Sequence, residues 1–226
     1  MQALDKSKIC PISEITLSYR DTVIPNHVFD TVAELIRRGE QLKAPKIWGG
    51  VNVGIGIGFH NDILIRSLHD VDEIRLLVTS GEKLFKDACF WKALSQVSGE
   101  MRLKILMLDP DSPSVYVREK RAYSEKKRGF LAEEIRENIE TIKRMSDYFD
   151  RIGKPVHIQC SVYSESPSFR MTFIGRHRLL VTSYVEGKRT GDTTVFYDIS
   201  SQQKGTLFDG FDREYRRIES TARSVF

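Results

Sequence analysis

Two dense apolar runs, EIRLLV (73–78) and MRLKILML (101–108), flank a helical pattern, and this arrangement predicts an α/β protein with a mixed, mostly parallel sheet flanked by helices. Strands buried on both faces read as continuous apolar runs, and the intervening helix supplies the crossover that parallel pairing needs. Composition agrees with a packed domain. Hydrophobic residues make up 40% of the 226 residues and charged residues 29%, enough to bury a core and still cover a surface.

The elements follow in order. Ile15, Leu17 and Tyr19 alternate like a short strand, and Pro25-Asn26 open a helix over 27–43 with Val28, Val32, Leu35 and Ile36 on one face. The stretch 46–62 mixes glycine with isoleucine and valine, which fits either a tightly packed strand or a glycine loop. A dinucleotide fingerprint does not fit, because it needs a strand, then a helix right after the first glycine, then an acidic residue some twenty positions on. His60-Asn61-Asp62 are expected to form a loop and helix cap before a short helix from Asn61. Residues 82–94, EKLFKDACFWKAL, read as one helix.

After the strand 101–109 and the turn DPDSPS, a charged helical region runs from about Val115 to Arg151. Leu131, Ile135, Ile139, Ile142 and Met145 recur at helical spacing, with Gly129 as a possible break. KPVHIQCSVY is a further strand, FRMTFIG and HRLLVTSYV a hairpin around Gly175, TTVFYDI a last strand, and 207–226 an amphipathic closing helix. The division expected is an extension over 1–58, with one helix and the glycine-rich segment, followed by an α/β domain over 59–226.

The formal net charge of +4 comes from interspersed charges rather than a basic block, which suits phosphate more than a long nucleic-acid track. The amino-terminal stretch has no apolar core of a secretory leader, and no window approaches the ~18 apolar residues of a membrane span, so a cytoplasmic protein is expected. Cys10, Cys89 and Cys160 are far apart, as structural thiols in a reducing compartment would be. No internal repeat is present.

Candidate chemistry gathers after the two central strands. Ligands of open α/β sheets collect beyond the carboxyl ends of the strands, which singles out Thr79, Ser80 and Gly81 after the first run and Asp109, Asp111 and Ser112 after the second. Thr79 or Ser80 would otherwise simply cap a helix, and Asp109 to Ser114 would otherwise be an ordinary Asp-Ser-Pro turn. Arg118 lies just downstream as a cationic partner. Among the histidines, only His60 and His157 suggest catalysis. The chain contains no GxSxG elbow, HExxH helix, P-loop or kinase signature.

From about Ile63 onward, the order EIRLLVTSGEKLF, LKILMLDPDSP, long charged helix, VHIQCSVY, SFRMTFIGRHRLLVTSY and FDREYRRI resembles one half of a phospholipase-D-like fold. Active members of that superfamily carry His-x-Lys, four residues and Asp before a strand ending in a small residue and serine. With Thr182-Ser183 on that strand end, the motif positions fall on Ser168, Arg170 and Gly175. The resemblance therefore implies a pseudoenzyme without the attacking imidazole and the carboxylate, in which Arg170 still binds phosphate and Ser183 donates a hydrogen bond.

The function expected is a non-catalytic binding or sensor domain for a phosphorylated small molecule, a nucleotide foremost, with no cofactor and no bound metal. Homodimerisation is implied by the resemblance alone. The alternatives are a metal-dependent phosphodiesterase or nuclease recruiting His60 or His157 with Asp109 and Asp111, and a regulatory protein-interaction module using the amino-terminal segment. Nucleic acid is a lesser candidate partner.

Overall fold

A computed structural model describes residues 51–122, 126–166, 168–184, 195–200 and 207–226. The expected amino-terminal strand and the helix over 27–43 lie outside these residues. The elements are β1 (Val51–Ile55), α1 (Gly56–Ser67), β2 (Glu73–Val78), α2 (Glu82–Phe85), α3 (Ala88–Gln96), β3 (Met101–Leu108), α4 (Pro113–Ala122), α5 (Phe130–Arg151), β4 (Val156–Tyr163), β5 (Phe169–Ile174), β6 (Arg178–Ser183), β7 (Val195–Ser200), α6 (Leu207–Thr221) and β8 (Arg223–Ser224).

The strands form one mixed sheet in the order β1-β7-β6-β5-β2-β3-β4-β8. Its centre, β2-β3-β4, is parallel, as the two apolar runs and their helical crossover require. Antiparallel pairs extend it on both sides: β5 joins β2, the β5-β6 hairpin turns through Gly175 at φ 58, and β8 covers the outer edge of β4. The glycine-rich stretch resolves into a strand and a helix, with Val51–Ile55 pairing antiparallel to β7. The sheet thus begins before residue 59, and His60-Asn61-Asp62 lie inside α1 rather than in a loop ahead of it.

Helices cover both faces. On one face α6 sets Asp212 against Arg75 at 2.6 Å and packs Phe208 and Tyr215 edge-on against Phe173. Thr172 neighbours Phe173 along β5 and so faces the other way. There it meets His60 of α1, with Nε2 2.9 Å from Thr172 Oγ1. The amphipathic α5 buries Leu131, Ile135, Ile139 and Ile142, each contributing roughly 1.5–3 kcal/mol relative to exposure.

The expected helix over 82–94 is divided, the charged helical region is divided at the Gly129 break that the sequence offered, and in each case a capping group explains the break. Residues 82–94 form α2 and α3 because Asp87 turns its carboxylate onto the Cys89 N–H at 2.9 Å, a capping bond that begins a new helix. Trp91 Nε1 donates to Phe85 O at 2.6 Å and holds the two pieces together. The charged region divides into α4 and α5 at Gly129, whose φ of 89 suits glycine. Glu119 of α4 then caps α5 by accepting the N–H groups of Gly129 and Leu131 at 2.8 and 2.9 Å.

Candidate functional site

Parallel β2, β3 and β4 end at Val78, Leu108 and Tyr163, and the antiparallel register brings the start of β5 and the end of β6 to the same sheet edge. Segments far apart in sequence therefore meet there. A cavity of ≈ 50 Å³ lies among Val78, Thr79, Ser80, Gly81, Glu82, Lys83, Arg118, Glu134, Arg170 and Tyr184.

Two arginines dominate this cavity. Arg170 enters from β5 and is only 5% exposed, and Arg118 enters from α4 at 7%. Among the described residues, Nε and Nη2 of Arg170, Nε of Arg118 and Oγ1 of Thr79 are buried with no hydrogen-bond partner. Burial lowers the pKa of Arg170, opposed by the nearby Tyr184. A buried donor without a partner costs ~1–3 kcal/mol, and more when charged, so these groups together favour an anionic acceptor in the space between them.

Tyr184 forms one wall. Arg118 stacks over its ring at 4.4 Å, and its hydroxyl accepts the Thr79 N–H at 3.0 Å. Asn138 of α5 donates to Ser80 O at 3.1 Å, and Tyr163 OH donates to Val78 O at 3.0 Å, fixing the loop after β2 from two sides. Gly81 takes φ 68 with the Phe85 ring packed against it. A Cβ there would stand 2.2 Å from Phe85 Cε2, so the position requires glycine. The helix that follows is only four residues long, and the Thr79 N–H is already bonded within the protein. The unpartnered donors at the cavity are therefore side-chain groups.

The structure brings Thr79, Ser80, Gly81, Arg118 and Arg170 around one cavity and leaves Asp109, Asp111, Ser112 and Ser183 outside its lining. Asp109 Oδ1 accepts the Asp111 N–H at 3.0 Å, which is turn chemistry, and its Oδ2 lies 3.4 Å from Arg223 Nη2. Asp111 pairs with Arg136 at 2.5 Å. Ser112 Oγ donates to Ser164 O at 3.1 Å and pins the turn to the end of β4. Ser183 is exposed, and it is the next residue, Tyr184, that reaches the cavity.

Ser168 precedes β5, and Arg170 pairs in register with Thr182. His60 is fully buried, held between Thr172 and the Asn61 side chain. Its pKa is lowered well below the usual value by burial and by the charge of Arg170. His157 is exposed at the far end of the sheet beside Arg102, so the two histidines share no site. Among the described residues no group of three or more His, Cys, Asp or Glu is placed to hold a metal. In the same residues no helix is long and apolar enough to cross a membrane.

Glu134, Lys83 and Tyr184 were missed in the sequence, and two of them carry a signal in its periodicity. Glu134 sits three residues after Leu131 and four before Asn138, on the buried stripe of α5. Tyr184 is two residues after Thr182 and so belongs to the same side of its strand.

No family model and no curated protein matches the chain. Among solved structures it is similar to phosphatidylserine synthase of Haemophilus influenzae Rd KW20, with a TM-score of 0.53 at 10% identity over 78% of this chain and 39% of that one. It is also similar to TrmBL2, an archaeal chromatin protein, with a TM-score of 0.44 at 14% identity over 88% of this chain and 63% of that one. A third similar structure is Nuc, a phospholipase D family member from Salmonella typhimurium, with a TM-score of 0.43 at 12% identity over 77% of this chain and 98% of that one. The chain thus spans less than two thirds of the first two proteins. The likeness to the synthase shows a shared fold over most of the present chain.

Proposed function

We propose that the chain is a binding domain for a phosphorylated small molecule, held by its phosphate at the carboxyl edge of the parallel strands. The observation that carries this reading is the convergence of Arg118, Arg170 and Thr79 on one cavity with buried donors that find no partner among the described residues. Guanidinium groups are the side chains best matched to phosphate oxygens, and in a low-dielectric pocket their charge-assisted bonds are stronger than in water. The cavity of ≈ 50 Å³ admits a group the size of about three or four waters. Phosphate fits such a space, whereas the sugar and base of a nucleotide would lie outside it. A nucleotide is the fullest form of the ligand on this reading.

The non-catalytic part of the proposal rests on the phospholipase-D-like order of segments read from the sequence. In that alignment Ser168 and Gly175 stand where the nucleophilic imidazole and its carboxylate partner would be needed. Arg170 takes the position of the motif lysine, and its burial at the cavity agrees with a phosphate-holding role.

Native mass spectrometry and calorimetric titration of the full chain test the proposal. Wild type should retain or bind a phosphate-bearing molecule, and Arg170→Ala should weaken it by ~1.5–3 kcal/mol. Equal affinity in the two proteins would remove Arg170 from the site. Absence of any phosphate or nucleotide binding by the wild type would end the reading.

A further inference from the structure

Around the joint between α4 and α5, Lys120, Lys126, Lys127 and Arg128 are all exposed, and among the described residues none of them is paired with a carboxylate. Of the described acidic residues between 116 and 133, Glu119 is buried with its oxygens turned to the N–H groups of Gly129 and Leu131, which leaves Glu133 at the surface. Four cations thus face one carboxylate, a local positive field that the interspersed charge of the whole chain does not suggest. Two aromatic rings stand among these cations. Arg128 Cζ lies 5.1 Å from the centre of the Tyr116 ring, and Lys126 Nζ lies 5.6 Å from that of Phe130. Tyr116 is nevertheless 51% exposed, so ring area remains for a further contact. A single exposed ring is ordinary on a protein surface. A ring set among cations combines the two parts that a nucleotide chain needs, a flat face for a base and positive charge for its phosphates.

We propose that this joint binds a short single strand of nucleic acid, with a base stacked on Tyr116 and the flanking phosphates held by Lys120, Lys126, Lys127 and Arg128. The bases of a single strand have free faces, and stacking accepts any base because every base has a π-face. In a duplex those faces are covered, and reading it takes an element laid in a groove. A lipid surface would instead need a broad apolar face, and the large hydrophobic residues that α4 exposes are Tyr116 and Val117 alone. The surface borders the anion cavity without sharing a residue with it. Arg118, two positions from Tyr116, lines the cavity, as does Glu134 about one helical turn beyond Phe130. The proposal therefore stands independently of the phosphate reading.

The test is fluorescence anisotropy of a labelled oligothymidylate without terminal phosphates, titrated with the full-length chain at several salt concentrations. Affinity should fall as salt rises, with a log–log slope of about −0.7 for each phosphate contacted. A duplex of the same length should bind about fivefold or more weakly, because its bases cannot reach the ring. Tyr116→Ala should weaken the single strand by about 5- to 100-fold, whereas Tyr116→Phe keeps the ring and should stay within about threefold of wild type. Removing Lys126 and Lys127 together as glutamines should lower the slope by about 0.7 for each cation lost. All these side chains are at the surface, and urea midpoints measured alongside would separate lost binding from lost folding.

No oligonucleotide binding by the wild type at about 50 mM salt overturns the proposal. Duplex binding as tight as single-strand binding does so too, as does equal affinity in wild type and a folded Tyr116→Ala protein. Sedimentation with anionic phospholipid vesicles in the same buffer covers the remaining partner: capture by vesicles without oligonucleotide binding would assign the joint to a lipid surface instead. Loss of phosphate binding with oligonucleotide binding intact would remove the cavity reading alone, and the reverse result would remove this one alone.

Discussion

The guanidinium of Arg118 lies 4.4 Å from the centre of the Tyr184 ring, and the hydroxyl of that ring accepts the Thr79 N–H at 3.0 Å. One side chain at the end of the hairpin thus positions a cation from α4 and closes a backbone bond in the loop after β2. Tyr184→Phe should keep the stacking and lose the backbone bond, destabilising the chain by about 1 kcal/mol while leaving anion affinity within a few fold. Tyr184→Leu should also lose the cation–π contact and weaken the anion further. Paired urea denaturation and phosphate titration distinguish the two losses.

Arg170 should show opposite effects on stability and binding. Its buried Nε and Nη2 find no partner among the described residues, so the ligand-free fold holds a desolvated charge at a cost. Arg170→Met keeps the volume and removes that cost. Its thermal midpoint without ligand should rise by about 2–4 °C for each kcal/mol recovered, while phosphate binding is lost. A lower midpoint would mean that Arg170 is already satisfied within the protein.

His60 gives the fold a pH dependence whose direction follows from its surroundings. Burial first, and the charge of Arg170 second, lower its pKa well below the unfolded value of 6.5. Between the two values the unfolded chain binds more protons than the folded one. The stability due to neutral His60 is therefore fully present above pH 6.5 and is lost as pH falls below it toward the folded pKa. Chemical denaturation across pH 5 to 8 should show this slope, and His60→Gln should flatten it. In Arg170→Met, the imidazole resonance should titrate at higher pH than in wild type.

Much of this was legible in the sequence because the governing signals are local. EIRLLV and MRLKILML are dense in apolar residues since both faces of β2 and β3 are covered over most of their length, and Gly129 and Gly175 mark the positions where positive φ is needed. Arg118 could be nominated because it follows a strand that ends at this edge, and Arg170 because the resemblance read from the sequence puts it at the motif lysine position. Asp109 and Asp111 looked equally suitable, yet their carboxylates are turned to a backbone N–H and to arginines on α5 and the carboxyl-terminal strand. Which way a turn carboxylate points depends on partners 25 and 114 residues away, and no local pattern encodes that. Glu134 was hidden for the opposite reason. Its chemistry is ordinary for a charged helix, and only its phase against Leu131 and Asn138 places it inside.

Thiol reactivity should divide between the two described cysteines. Cys89 is exposed, whereas Cys160 is buried in β4 and burial raises its pKa to about 12. Thiolate is the reacting form, so at pH 8 a maleimide should label Cys89 in the folded protein and leave Cys160 untouched until denaturant is added. Peptide mapping after a timed pulse reads both sites at once. Rapid labelling of Cys160 without denaturant would show that β4 opens locally at the edge covered by β8.

Glu119 offers the sharpest structural test, because one buried carboxylate joins α4 to α5. Its two oxygens accept the N–H groups of Gly129 and Leu131 at 2.8 and 2.9 Å, satisfying backbone donors that the first turn of α5 leaves open. It is 6% exposed, so water cannot easily replace it. Glu119→Gln keeps one acceptor and should cost about 1 kcal/mol, since the amide cannot serve both donors. Glu119→Ala leaves the buried Leu131 N–H and the half-buried Gly129 N–H unpaired and should cost about 2–4 kcal/mol. Arg118 is adjacent on α4, and Glu134 and Asn138 lie on α5, so a loosened joint should also weaken phosphate binding in proportion to the loss of stability. Denaturation midpoints and phosphate affinities measured on the same three proteins would show whether the two fall together. If affinity stays constant while stability drops, the cavity is held by the β2 loop and the hairpin alone, and α4 contributes to the site only through the side chain of Arg118.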